Sequence, residues 1–93
     1  MGKVRKGRDI DAALQKKGFL CVKDGNHLFY ALSGSSVRTK ISHGMMGRDI
    51  GRALLSVMAK QLRLSSAQFL DLIDCSLDET GYRAILRQHG SIS

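Results

Sequence analysis

Two glycine-centred turns, Asp24-Gly25-Asn26 and Ser33-Gly34-Ser35-Ser36, constrain this chain more than any other feature. They separate three short runs, Phe19 to Lys23, His27 to Leu32 and Val37 to Ile41, each brief for a helix and carrying aromatic or β-branched side chains. Strands joined by turns this tight pair antiparallel, so the spacing predicts a three-stranded meander. Helical periodicity flanks it on both sides. Arg8 to Lys17 places Ile10, Ala13 and Leu14 on one face and meets a stop at Gly18. Asp49 to Leu62 places Ile50, Ala53, Leu54, Val57, Met58 and Leu62 at helical spacing, with Gln61 the one polar residue in that stripe. Ser65 with Gln68 has the form of a capping box opening a third helix through Phe69, Leu70, Leu72 and Ile73. Ser76 with Glu79 repeats the signal for a fourth, through Leu77, Tyr82, Ile85 and Leu86, with Gly81 as a weak point. The expected class is α+β: helix, three antiparallel strands, helix, then C-terminal helices.

A chain of 93 residues without proline, low-complexity run or internal repeat reads as one domain over residues 1–93. Its apolar runs fall far short of the ~20 residues of a membrane span. The basic start interleaves Asp9 and Asp11 and builds no apolar core with a cleavage site, so no export signal is expected. Cys21 and Cys75 lack zinc-ligand spacing and suggest buried thiols rather than a disulfide framework. Together these features point to a cytoplasmic protein with no metal and no cofactor. Charge is distributed unevenly. Residues 1–48 hold ten Lys/Arg against three Asp/Glu, and the remainder holds five of each, so the whole excess of +7 lies in the first half. Such a concentration suits an anionic partner, most economically nucleic acid; a solvated basic face is the plainer alternative.

Alternation along the strands indicates which side chains share a surface. A four-residue loop at Ser33 to Ser36 pairs Leu32 with Val37, Tyr30 with Thr39 and Leu28 with Ile41, an apolar inner face. The outer face then sets Ala31 opposite Arg38, Phe29 opposite Lys40 and His27 opposite Ser42. Across the first turn, pairing Lys23 with His27 adds Lys23 to the outer face and points Leu20 and Val22 inward. The expected surface is a histidine among Lys23, Arg38 and Lys40, with Phe29 beside it. Cations disfavour protonation of a nearby imidazole, which suits a base working near neutrality.

Those parts fit RNA chemistry. Lys and Arg hold phosphate, Phe29 stacks on a base, and His27 takes the proton of a ribose 2′-hydroxyl that attacks the adjacent phosphorus. Against this stands the simple reading of His27 as a polar residue starting a strand after a turn. His43, in the loop before the second helix, is the second candidate for the base or a second proton donor, and is equally credible as a loop residue bonded to backbone. His89 is expected in solvent near the C-terminus. The glycines form no phosphate-binding loop spacing, so no nucleotide cofactor is indicated.

The N-terminal R-D-I-x-x-A-L-x-x-K-G-F, the segment Gly25-Asn26-His27-Leu28-Phe29-Tyr30, and a third strand leading into a histidine-bearing loop and helix resemble the HicA toxin family. The stretch Val37 to Gly44, with Met58 to Leu62 and Phe69 to Cys75 downstream, looks like a longer branch of it. The resemblance to the family core covers residues 5–64. It implies a double-stranded-RNA-binding-domain-like α-β-β-β-α fold and a small cytoplasmic mRNA interferase of a toxin–antitoxin system. It also implies an antitoxin protein as partner and a catalytic histidine in a G-x-H motif, matched here by His27. Residues 65–93 are an extension that the minimal family lacks.

The resulting expectation is an RNA-binding, metal-independent endoribonuclease acting on mRNA. Two alternatives stand beside it: a non-catalytic nucleic-acid-binding module, and a protein-interaction domain docking through the apolar residues of its C-terminal helices. A helix-turn-helix reading of the second and third helices is disfavoured, because Asp71 and Asp74 make the third helix acidic.

Overall fold

A computed structural model describes residues 5–90. Lys3, counted in the basic half, lies outside the described residues. The elements run β1 (Arg5–Lys6), α1 (Gly7–Lys16), β2 (Phe19–Asp24), β3 (His27–Leu32), β4 (Arg38–Ser42), a 3-10 turn (His43–Met45), β5 (Asp49–Ile50), α2 (Arg52–Gln61), α3 (Ser66–Ile73) and α4 (Glu79–Gln88). The α+β class and the helix, three strands, helix order are those expected. β2, β3 and β4 form the antiparallel sheet in that order, and β1 pairs with β5 in a separate two-stranded ribbon. No described helix is long and apolar enough to cross a membrane.

α1 buries Ile10, Ala13 and Leu14, the face its periodicity marks out. Its N-terminus lacks a side-chain cap. The Gly7 and Arg8 N–H groups instead donate to the carbonyls of Arg48 and Met46, at 3.0 and 2.9 Å. A Cβ at Gly7 would collide with the Met45 carbonyl, so the close approach that caps α1 requires glycine there. This loop also corrects the second helix. Asp49 and Ile50 do not begin it: they pair with Lys6 and Arg5, and the helix starts after Gly51. A strand pairing between residues so far apart leaves no local pattern to read. α2 buries Leu55, Met58 and Ala59, while Leu54 and Val57 face solvent.

The capping box at α3 is present, with Gln68 N–H donating to Ser65 Oγ at 3.1 Å and Ser65 N–H donating to Gln68 Oε1 at 3.0 Å. The fourth helix departs from expectation. Its cap is Asp78, whose Oδ1 accepts from Gly81 N–H at 2.8 Å, and Ser76 instead donates its backbone N–H to Asp71 O in the preceding turn. Glu79 is released to pair with Arg83 at 2.9 Å, and Arg83 also donates to the Ser33 carbonyl, tying α4 to the β3–β4 turn.

One core cluster takes side chains from the inner sheet face and from every α-helix. Phe69, Leu72, Tyr82 and Leu86 are fully enclosed, and the Tyr82 hydroxyl donates to Leu62 O at 2.9 Å. Of the apolar residues that the protein-interaction reading named, Leu72, Ile73 and Leu86 are buried in this core and Leu70 is partly buried. α1 is pinned to the sheet by Asp11, which accepts from Tyr30 at 2.6 Å and Gln15 at 2.9 Å. Burial and this hydrogen bond push the Tyr30 phenol above its ordinary pKa, so it stays a donor. The cysteines are less buried than expected: Cys21 is half-buried and Cys75 exposed in a left-handed turn. Lys17, by contrast, is buried with its ammonium 3.4 Å from Cys75 Sγ.

Candidate nucleic-acid interface

The register of β3 and β4 is the expected one, with Ala31 opposite Arg38, Phe29 opposite Lys40 and His27 opposite Ser42. The β2 register is not. Asp24, not Lys23, lies opposite His27, and Lys23 lies opposite the buried Leu28. The turn therefore has two residues, Gly25 and Asn26, rather than three. Gly25 takes a φ of 62° and Asn26 is not left-handed, the pattern of a type II′ turn, whose twist matches that of the paired strands. Because side chains alternate, this single step inverts all of β2. Lys23 leaves the outer face, and Leu20 and Val22 join it at 65% and 60% exposure. Phe19 and Cys21 turn inward instead. Phe19 stacks on Tyr82 with ring centroids 5.9 Å apart, burying an aromatic ring that would otherwise lie in water.

The outer face is thus three rows across the sheet: Leu20, Ala31 and Arg38; then Val22, Phe29 and Lys40; then Asp24, His27 and Ser42. Leu20, Val22 and Phe29 make an exposed apolar patch. Arg38 and Lys40 flank it on the outermost strand, and among the described residues no carboxylate lies within ion-pair distance of either. Three other cations are already paired, Arg5 with Asp74, Lys6 with Asp49 and Arg83 with Glu79. Each of these pairs removes one charge of each sign and leaves the formal excess of +7 unchanged, and two unpaired cations, Arg38 and Lys40, stand on this face.

Comparison of the chain with protein-family models, with curated proteins and with solved structures gives no match in any of the three. The site is therefore read from its own geometry. His27 is half-buried at the turn end of the sheet, its ring 6.0 Å from that of Phe29 and tilted by 43°. His43 is exposed just beyond β4, and its backbone N–H donates to Asn26 O at 2.6 Å, which holds it beside the same turn. The two candidate histidines thus belong to one end of the sheet. Of the expected site residues, His27, Phe29, Arg38 and Lys40 share the outer face, and Lys23 does not. The electrostatic setting differs accordingly: across the ladder from His27 stands the Asp24 carboxylate, not an ammonium. No three His, Cys, Asp or Glu side chains among the described residues cluster as a metal-ligand set.

Three features escape the sequence reading. Asp24 and the exposed Leu20 and Val22 follow from the two-residue turn, for which the Gly-Asn pair was the available signal. Gln61 is the third. Its Oε1 accepts from the buried Thr39 hydroxyl at 2.7 Å, drawing the end of α2 against β4. Its place as the one polar residue in the α2 stripe was the visible sign.

Proposed function

We propose that this protein binds RNA across the open face of its sheet and cleaves it in a metal-independent reaction, with His27 as general base. The observation that supports the reading is the face itself, where a half-buried imidazole, an aromatic ring, an apolar patch and two unpaired cations occupy neighbouring rows of one sheet. Such a surface offers a stacking platform flanked by phosphate ligands, as proteins that bind unpaired RNA use. Placed over Phe29 and Lys40, a strand brings a ribose to His27. The imidazole takes the 2′-hydroxyl proton, the 2′-oxygen attacks the adjacent phosphorus, and the 5′-oxygen leaves as the chain breaks. His43 is the nearest further imidazole to protonate that leaving oxygen. With the resemblance to the HicA family, this is the reading of an mRNA interferase toxin in the cytoplasm, with an antitoxin protein as its partner.

The test is purified wild type against His27→Ala on single-stranded RNA in excess EDTA. Cleavage by the wild type, its loss in His27→Ala with RNA affinity retained, and no cleavage of RNA methylated at the 2′-oxygen are expected. Full activity in His27→Ala refutes the catalytic assignment. A second reading draws on the exposure of Leu20 and Val22: a non-catalytic binding module, whose mark is tight binding without cleavage in every form.

A further inference from the structure

A cleft of about 180 Å³ lies over the free edge of β4, lined by Phe29, Arg38, Thr39, Lys40 and Gln61. Its polar side chains are not neutral in hydrogen-bonding sense. Arg38 and Lys40 only donate. Gln61 has one acceptor atom, Oε1, and the buried Thr39 hydroxyl donates to one of its two lone pairs at 2.7 Å. That bond sets the amide with its carbonyl toward Thr39 and leaves the Nε2 group without a hydrogen-bond partner among the described residues. Thr39 is itself 3% exposed, so the hydroxyl gains its hydrogen bond from Gln61 rather than from water. The strand edge adds peptide N–H and C=O groups in equal number, so the bias toward donors comes from the side chains.

We infer that this cleft selects pyrimidines carrying a keto oxygen at the 4-position over those carrying an amino group there, with Gln61 as the specificity-determining residue. The inference rests on the RNA reading above. Phe29 lies two residues along β3 from His27, about 7 Å of strand, so a ribose at His27 leaves its own base or the next one over Phe29. In a pyrimidine the 4-position lies across the ring from the bond to ribose, and that far edge reaches the β4 cleft. Uracil presents an acceptor oxygen there, which the Gln61 amide can bond while Arg38 and Lys40 hold phosphate. Cytosine presents an amino group, which sets donor against donor. Phosphate contacts are the same for both bases and cancel in the comparison.

The experiment measures binding of equal-length, cleavage-resistant 2′-O-methyl oligouridylate and oligocytidylate to the wild-type protein by fluorescence anisotropy. The expected preference for uridylate is about three- to tenfold, the size of one hydrogen bond on a partly exposed surface. In Gln61→Leu the ratio should fall to about one, and Thr39→Val, which frees the amide to turn, should lower it in the same direction. Gln61→Glu, which offers an acceptor where the amide donated, should shift the ratio toward cytidylate, and serves as the second variant should Gln61→Leu fail to fold. Equal affinity of the wild type for both oligomers, or a preference that survives Gln61→Leu, overturns the inference while leaving RNA binding intact. Absence of binding to either oligomer overturns both the inference and the reading beneath it.

Discussion

Replacing Arg38 and Lys40 together with Ala gives the most direct measure of whether the outer face meets phosphate. For single-stranded nucleic acid, each phosphate neutralised contributes about −0.7 to the slope of log K against log salt. Both side chains are exposed, and neither pairs with a carboxylate among the described residues, so each brings a whole countercharge. The double variant should therefore have a slope shallower by about 1.4, and between roughly 50 and roughly 200 mM salt should lose about sevenfold less affinity than the wild type. Lys23→Ala is the control that the register supplies. Lys23 alternates to the other face of the sheet, and at ordinary ionic strength its charge is largely screened from a strand on the outer face, so its slope should change by less than about 0.3. The assay is anisotropy titration of a 2′-O-methyl oligonucleotide across a series of KCl concentrations, with far-ultraviolet circular dichroism confirming that each variant folds. An unchanged slope in Arg38→Ala/Lys40→Ala, or a change in Lys23→Ala as large as that of the double variant, refutes the assignment of this face.

Asp78→Ala should lower stability by about 1 kcal/mol, as loss of an N-cap does, whereas Ser76→Ala should stay within roughly 0.5 kcal/mol of wild type. Urea denaturation separates them, and a Ser76→Ala cost equal to that of Asp78→Ala would place the cap wrongly. The Arg5 guanidinium grips Asp74 through two hydrogen bonds, of 2.9 and 2.6 Å, and holds its carboxyl below the usual carboxylate range. A carboxyl with a depressed folded-state pKa contributes stability that is complete above its ordinary value and is lost as pH falls through the folded value. Asp74→Asn should cost about 0.5–1 kcal/mol at neutral pH, limited by solvent screening of a partly exposed pair, and nothing in strong acid. A urea-midpoint difference that is the same at both pH values would show that the ion pair is not its source.

The parts of this fold legible in the sequence are those written in local patterns. Ile10, Ala13 and Leu14 recur at the period of a helix and are buried as one face. The β3–β4 register follows from alternation on both strands, and the Ser65 cap from residues three apart. The same alternation misassigned β2, placing Leu20 and Val22 inward, because they read as core as readily as Phe19 and Cys21. Two things outside that strand settle it: a turn of two residues whose twist suits the hairpin, and the Tyr82 ring, brought from α4 to receive Phe19. Only the tertiary structure, therefore, decided which face of β2 meets solvent and with it the composition of the candidate site. It likewise set β1 against β5 and Gln61 against Thr39, since pairings between distant segments depend on packing that no local period encodes. The sequence alone determined the three-stranded meander, the four helices, their order and the chemistry available to them. Packing determined which of those chemical groups stand together, because burying Phe19 exposes its neighbours on the opposite face.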